Sequence, residues 1–172
     1  AQAEGKFDIA LPLYQRVLTL QPTHTVALGQ REDALSDVLQ QASRALAKGD
    51  LATGARLIAQ VRTYDAGHVE LPDGEAQLGR AVEQRRQRAD MELRRKRPEQ
   101  ALANYRAVLA ASPDDAAAKQ GIERVATAFA QRAAREASDF DFTSANESLR
   151  QARELAPNAS AVKEATQSIA RA

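Results

Sequence analysis

The chain has no cysteine, which removes disulfide bonds, thiol nucleophiles and thiolate metal sites together. Tryptophan is absent as well, and aromatic residues make up only 4% of the chain. Runs rich in Val, Ile, Tyr and Thr, from which strands are built, do not occur. No charge of one sign dominates: 24 Lys and Arg face 23 Asp and Glu, a formal net charge of +1. No global field therefore draws the protein onto nucleic acid or an anionic membrane. No apolar run approaches the ~18 residues of a membrane span. Only 8 Gly and 6 Pro punctuate the 172 residues.

What remains is rich in Ala, Leu, Gln, Glu and Arg, the residues that lose least on entering a helix. Apolar residues make up 44%, enough for a core, and the length suits one domain or one repeat array. Ala1 stands first and the single Met is Met91, so the chain reads as a piece of a longer protein.

The chain repeats. "GKFDIALPLYQRVLTLQP" at 5–22 aligns without gaps with "GDLATGARLIAQVRTYDA" at 49–66, "KRPEQALANYRAVLAASP" at 96–113 and "FDFTSANESLRQARELAP" at 140–157. Pro22, Pro113 and Pro157 close three of the four units, and Ala66 closes the second. In the first unit Ala10, Leu13, Tyr14, Val17, Leu18 and Leu20 form a broad stripe of helical period. Asp8, Asp50 and Asp141 are expected N-caps, and Pro98 suits a first helical position. Pro12 is expected within the first turn or so of its helix, where a missing N–H does least harm.

Short helices are thus expected at about 7–20, 50–63, 98–110 and 142–155. Long helices are expected between them, at about 24–48, 73–95 and 114–138, with a last one at 160–171. Leu35, Val38, Leu39 and Ala42 hold one helical phase in the first long segment, and Val125, Phe129, Ala133 and Ala137 do so in the third. "SPDDAA" at 112–117 offers Ser112 as cap, Pro113 as first helical residue and two Asp for the helix dipole. The alternative is a break near Gly29, Gly79 and Gly121.

The short unit resembles the second helix of a tetratricopeptide (TPR) repeat. Gly5, Phe7, Ala10, Tyr14, Val17, Leu18, Leu20 and Pro22 fill that pattern. Ala42, Ala89 and Ala133 stand where the family needs a small residue at a close helix crossing. The departure is the period, 44 to 47 residues here against 34 in the standard repeat. The resemblance implies an all-α fold, an α-solenoid of antiparallel helical hairpins wound as a right-handed superhelix, with long and short helices alternating over 1–172. It also implies that the long helices line a concave groove. Its positions would be Ser36, Leu39, Ser43 and Leu46, then Glu83, Arg86, Asp90, Leu93 and Arg94, then Thr127, Ala130, Ala134 and Ser138. The carboxylate clamp of chaperone-binding relatives needs Lys and Asn at several of these sites, and only Arg86 suits, so a chaperone co-factor is not expected.

Chemistry is harder to find. Gly5-Lys6 lacks the earlier glycine and preceding strand of a phosphate loop, and "GDLATGAR" lacks its Lys-Ser/Thr pair. Both read as turns entering helices. His24 and His68 occupy equivalent loop positions. "YDAGHVELPDGE" gathers Asp65, His68, Glu70, Asp73 and Glu75, residue types that bind metal but that polar loops collect anyway. "DFDFTSANES" lacks the Gly and closing Glu of a calcium loop. No catalytic constellation, metal or cofactor is expected.

Between Arg80 and Arg97 stand eight basic and three acidic residues. Such a cluster suits an acidic peptide. Glu83, Asp90 and Glu92 can also pair within the helix, and no aromatics interleave to stack bases, so nucleic acid is not expected.

The expectation is a non-catalytic scaffold of a larger bacterial protein, holding a protein, peptide or helix in its groove. The alternative is an extracytoplasmic sensory region of a membrane-anchored receptor such as a Ser/Thr kinase, and the periplasm is favoured over the cytoplasm. Unfinished helices at both ends would leave Phe7, Leu11 and Val162 free for solvent or self-association.

Overall fold

Ala, Leu, Arg and Gln lose little side-chain freedom in a helix, and a computed structural model of the chain, which describes residues 4–171, is all-helical. Its elements are α1 (Glu4–Leu20), α2 (Thr25–Ala47), α3 (Leu51–Tyr64), α4 (Leu71–Arg94), α5 (Pro98–Ala111), α6 (Ala116–Ser138), α7 (Phe142–Leu155) and α8 (Ser160–Arg171). Among the described residues there is no strand. Helices α2, α4 and α6 run unbroken through Gly29, Gly79 and Gly121. At 1.5 Å per residue each is about 35 Å long.

Two kinds of turn recur. After each of the three long helices, one residue takes a left-handed backbone: Gly49 (φ 82), Lys96 (φ 59) and Phe140 (φ 61). Its N–H closes on the carbonyl three back, that of Leu46, Leu93 or Ala137. The N–H of the next residue reaches five back, from Asp50 to Ala45 (3.0 Å), Arg97 to Glu92 (3.0 Å) and Asp141 to Glu136 (2.9 Å). These bonds satisfy carbonyls that a helix end leaves open. Asp50 and Asp141 then cap α3 and α7 by accepting the N–H of Thr53 and Ser144. Hydrogen bonds from the backbone and side chain of Thr53 to Asp50, and from the side chain and backbone of Ser144 to Asp141, hold both carboxyls below the usual aspartate range. Arg97 makes no such cap, and Pro98 at the start of the helix has no N–H to leave unpaired.

The other turn follows α1, α3, α5 and α7. The N–H of Gln21, Asp65, Ser112 and Ala156 returns to Val17, Val61, Val108 and Ala152. Three residues later a second N–H, from His24, His68, Asp115 and Ala159, closes on those same residues. His24 Nδ1 accepts from the Ala27 N–H (3.1 Å) and Asp115 from that of Ala118 (2.7 Å). Asp115 therefore opens α6. Ser112 instead ends α5, and Pro113 and Asp114 stay outside both helices.

The start of the chain also departs from expectation. α1 begins at Glu4, so the Gly5-Lys6 backbone is helical rather than a turn, and Asp8 lies inside the helix rather than capping it. The Lys6 side chain and residues 1–3 lie outside the described residues. Pro12 is an interior proline, which costs the Asp8 carbonyl its helical partner. Pro12 is exposed, so water can take that carbonyl.

The chain divides into two compact units, residues 1–82 and 83–172. In the first, α2 packs on α1 and α3. Leu11, Leu35, Val38, Ile58 and Val61 form its core, with Phe7 and Tyr14 against it. Leu11 is fully buried, while Leu13 and Leu20 of the expected stripe are exposed. The buried face is thus Phe7, Leu11, Tyr14 and Leu18, spaced four, three and four residues apart. In the second unit, α6 packs against α5, α7 and α8. Tyr105, Val108, Val125, Phe129, Leu149 and Val162 are buried there. Val162 is covered by its own unit and is not left for a second copy. Each such side chain contributes about 1.5–3 kcal/mol. Ala42, Ala89 and Ala133 are all buried.

Candidate functional site

Helix α2 brings Ser36, Leu39 and Ser43 to one open cavity of about 390 Å³ in the first unit, beside Asp73 and Gln77. Asp37, Glu70 and Asp73 make it acidic. Leu39 is only its floor, because the side chain belongs to the core. Leu46 turns away and packs over Gly54, where an added Cβ would strike it. Neither leucine offers itself to a partner as expected.

The histidines have structural tasks. His24 caps α2. His68 is buried, and its Nδ1 accepts the Glu70 N–H at 3.2 Å. Nε2 therefore carries the ring hydrogen, facing Glu32 at 3.4 Å and Ser36 at 3.5 Å. Asp65 accepts from Arg31 and from the Gly67 N–H, both at 2.9 Å. Among the described residues no three of His, Asp and Glu converge on a point that could hold a metal ion.

In the second unit three of the α4 positions, Glu83, Arg86 and Asp90, already have partners. Glu83 pairs with Arg86, and Arg86 Nη1 lies 3.3 Å from Asp115 at the start of α6. Asp90 accepts the Tyr105 hydroxyl at 2.5 Å and Arg124 at 2.7 Å. Burial, reinforced by the Asp90 carboxylate, pushes the Tyr105 phenol up to about 12. Arg95 and Arg97 both reach Glu92, at 3.7 and 3.5 Å. Arg94 is exposed in the last turn of α4. On α6, Ala130 is buried and cannot line a groove, Ala134 is half-buried, and Ser138 bonds back to the Ala134 carbonyl at 2.9 Å.

Leu93 and Thr127 do come together, in a cavity of about 260 Å³ at the end of α4, the start of α5 and one face of α6. Leu93, Pro98 and Ala128 supply its apolar surface. Thr127 and Gln131 supply a hydroxyl and an amide. Its cations are Lys96, Arg124, Arg132 and Arg135. Two of these are held: Arg124 by Asp90 and the Tyr105 hydroxyl, and Arg132 by Glu99 (2.6 Å) and Ser148 (3.0 Å) while it lies over the Phe129 ring. Lys96 and Arg135 are exposed and, among the described residues, pair with no carboxylate. The lining contains no carboxylate, imidazole or thiol to move a proton. It can hold an anion beside an apolar group.

Sequence reasoning singled out Lys96 within the basic cluster but missed Arg124, Gln131, Arg132 and Arg135. The signal was present: 124, 128, 131 and 135 step by four, three and four, one face of one helix. It was drowned by the denser run of arginines on α4.

Compared with known proteins, the chain matches no family model, and no curated protein or solved structure resembles it significantly.

Proposed function

We propose that the chain is a TPR-like array of antiparallel helical hairpins acting as a non-catalytic scaffold, and that it binds an acidic protein segment at the cavity beside Lys96 and Arg135. The array is supported by turns whose hydrogen bonds recur at Gly49, Lys96 and Phe140, and by buried alanines at 42, 89 and 133. The binding site rests on one observation. Two uncompensated cations flank an apolar slot that offers nothing for proton transfer. An acidic segment carrying an apolar side chain fits both parts, with charge steering the encounter and burial holding it.

The test is fluorescence anisotropy with a labelled peptide in which Asp and Glu alternate with Phe. R135E should weaken binding at least about tenfold, as loss of a central contact does. R80E, which reverses an exposed cation of the first unit, should leave it unchanged. Equal losses in the two variants would mean diffuse attraction, and the assigned site would fall.

A further inference from the structure

Phe140 is 80% exposed although it is one of four phenylalanines in the chain. It also stands at a left-handed backbone position, with φ 61. A bulky side chain is out of place there, and glycine serves the equivalent turn at position 49. Such backbone strain gathers at functional positions. Phe142, also partly exposed, meets the Phe140 ring edge to face at 6.4 Å. Asp139 and Asp141 flank the ring in sequence and are exposed. The turn therefore presents an aromatic knob framed by carboxylates.

Only one other non-glycine residue among those described has a left-handed backbone, and it is Lys96, an unpaired cation of the cavity. The two turns that forgo glycine thus carry an acidic aromatic knob and one wall of a basic apolar slot. A cavity near 150 Å³ holds benzene, so one of about 260 Å³ has room for a phenyl ring. Knob and slot lie at the same end of α6: Arg135 is in its last turn and Phe140 lies two residues beyond Ser138.

We propose that two copies of this chain associate through this end of the second unit, Phe140 of each entering the cavity between Lys96 and Arg135 of the other. A two-fold axis between knob and slot satisfies both at once, as closed dimers require. The Lys96 ammonium meets the face of the incoming ring. Asp139 and Asp141 of the incoming turn meet Arg135. This rests on the acidic-segment reading above and names the segment.

The test is sedimentation of the full 172-residue chain across concentrations up to about 1 mM, a range that detects even weak association. The variants are F140G, which removes the knob, and K96G with R135E, which removes the slot. Glycine suits both turns, and melting temperatures no lower than that of the unchanged chain check that the variants fold. Each variant alone should associate at least about tenfold more weakly than the unchanged chain. Mixing the two should restore part of the association, because the heterodimer regains one knob in one slot. Undiminished dimers of F140G, or no restoration on mixing, would overturn the proposal. A synthetic peptide of residues 137–143 separates the two readings. If it binds F140G while the unchanged chain stays monomeric, the acidic-segment site stands and self-association falls. If it does not bind and the chain is monomeric, both fall.

Discussion

Gly121 lies against the ring of Tyr105 so closely that a methyl group at 121 would fall on the ring itself. The contact lets α6 approach α5, and it leaves the Tyr105 hydroxyl aimed at Asp90 and Arg124. Gly29 and Gly79 also lie within long helices, but an added Cβ at either meets nothing within 4 Å.

The three glycines should therefore respond differently to alanine. G29A and G79A should each stabilise by about 0.5–1 kcal/mol, the ordinary helix preference of Ala over Gly. G121A should destabilise by about 1–3 kcal/mol through overpacking. Urea unfolding of the three variants checks the order, and a uniform response would contradict the Tyr105 packing.

Tyr105 should titrate late. Its phenol is held up to about 12 in the fold, against 10.0 for a free tyrosine. Between those values the unfolded chain gives up a proton that the folded chain keeps. The contribution to stability is therefore complete below about pH 10 and is lost as the pH rises towards 12. The phenolate absorbance of the unchanged chain minus that of Y105F should show one step near 12. A step near 10 would mean that the phenol is neither buried nor held by Asp90 as described.

Asp115 has two jobs, capping α6 and pairing with Arg86. D115A loses both and should cost about 1–2 kcal/mol, mostly the cap. D115N keeps a capping oxygen and loses only the partly exposed ion pair, so its cost should stay below about 1 kcal/mol. Thermal melts in low and high salt distinguish them, since only the ion-pair component is screened.

Leu11 and Leu13 are neighbours on α1 with opposite fates. Leu11 is fully buried and Leu13 is 57% exposed. L11A should cost about 2–5 kcal/mol. L13A should fall within about 0.5 kcal/mol of the unchanged chain. Denaturant midpoints decide the matter, and a loss at L13A as large as that at L11A would put Leu13 back on the buried stripe read from sequence.

The sequence by itself determined that the chain is all-helical, because alanine, leucine, arginine and glutamine dominate it and strand formers do not cluster. It also marked Asp50 and Asp141 as caps, since capping is a local contact between a side chain and an N–H three residues ahead. Those signals live within a few residues of one another. The sequence placed Leu11 and Leu13 the wrong way round and could not separate Gly121 from Gly79, because the difference lies in what another helix presents to each. The same holds for charge. Arg86 belongs to a conspicuous run on α4, yet it is neutralised by Glu83 and by Asp115 from another helix. Lys96 and Arg135, 39 positions apart in the numbering, become one cavity only when the start of α5 is laid beside the end of α6. Burial and pairing are properties of neighbours in space, and only the tertiary structure decides which residues those are.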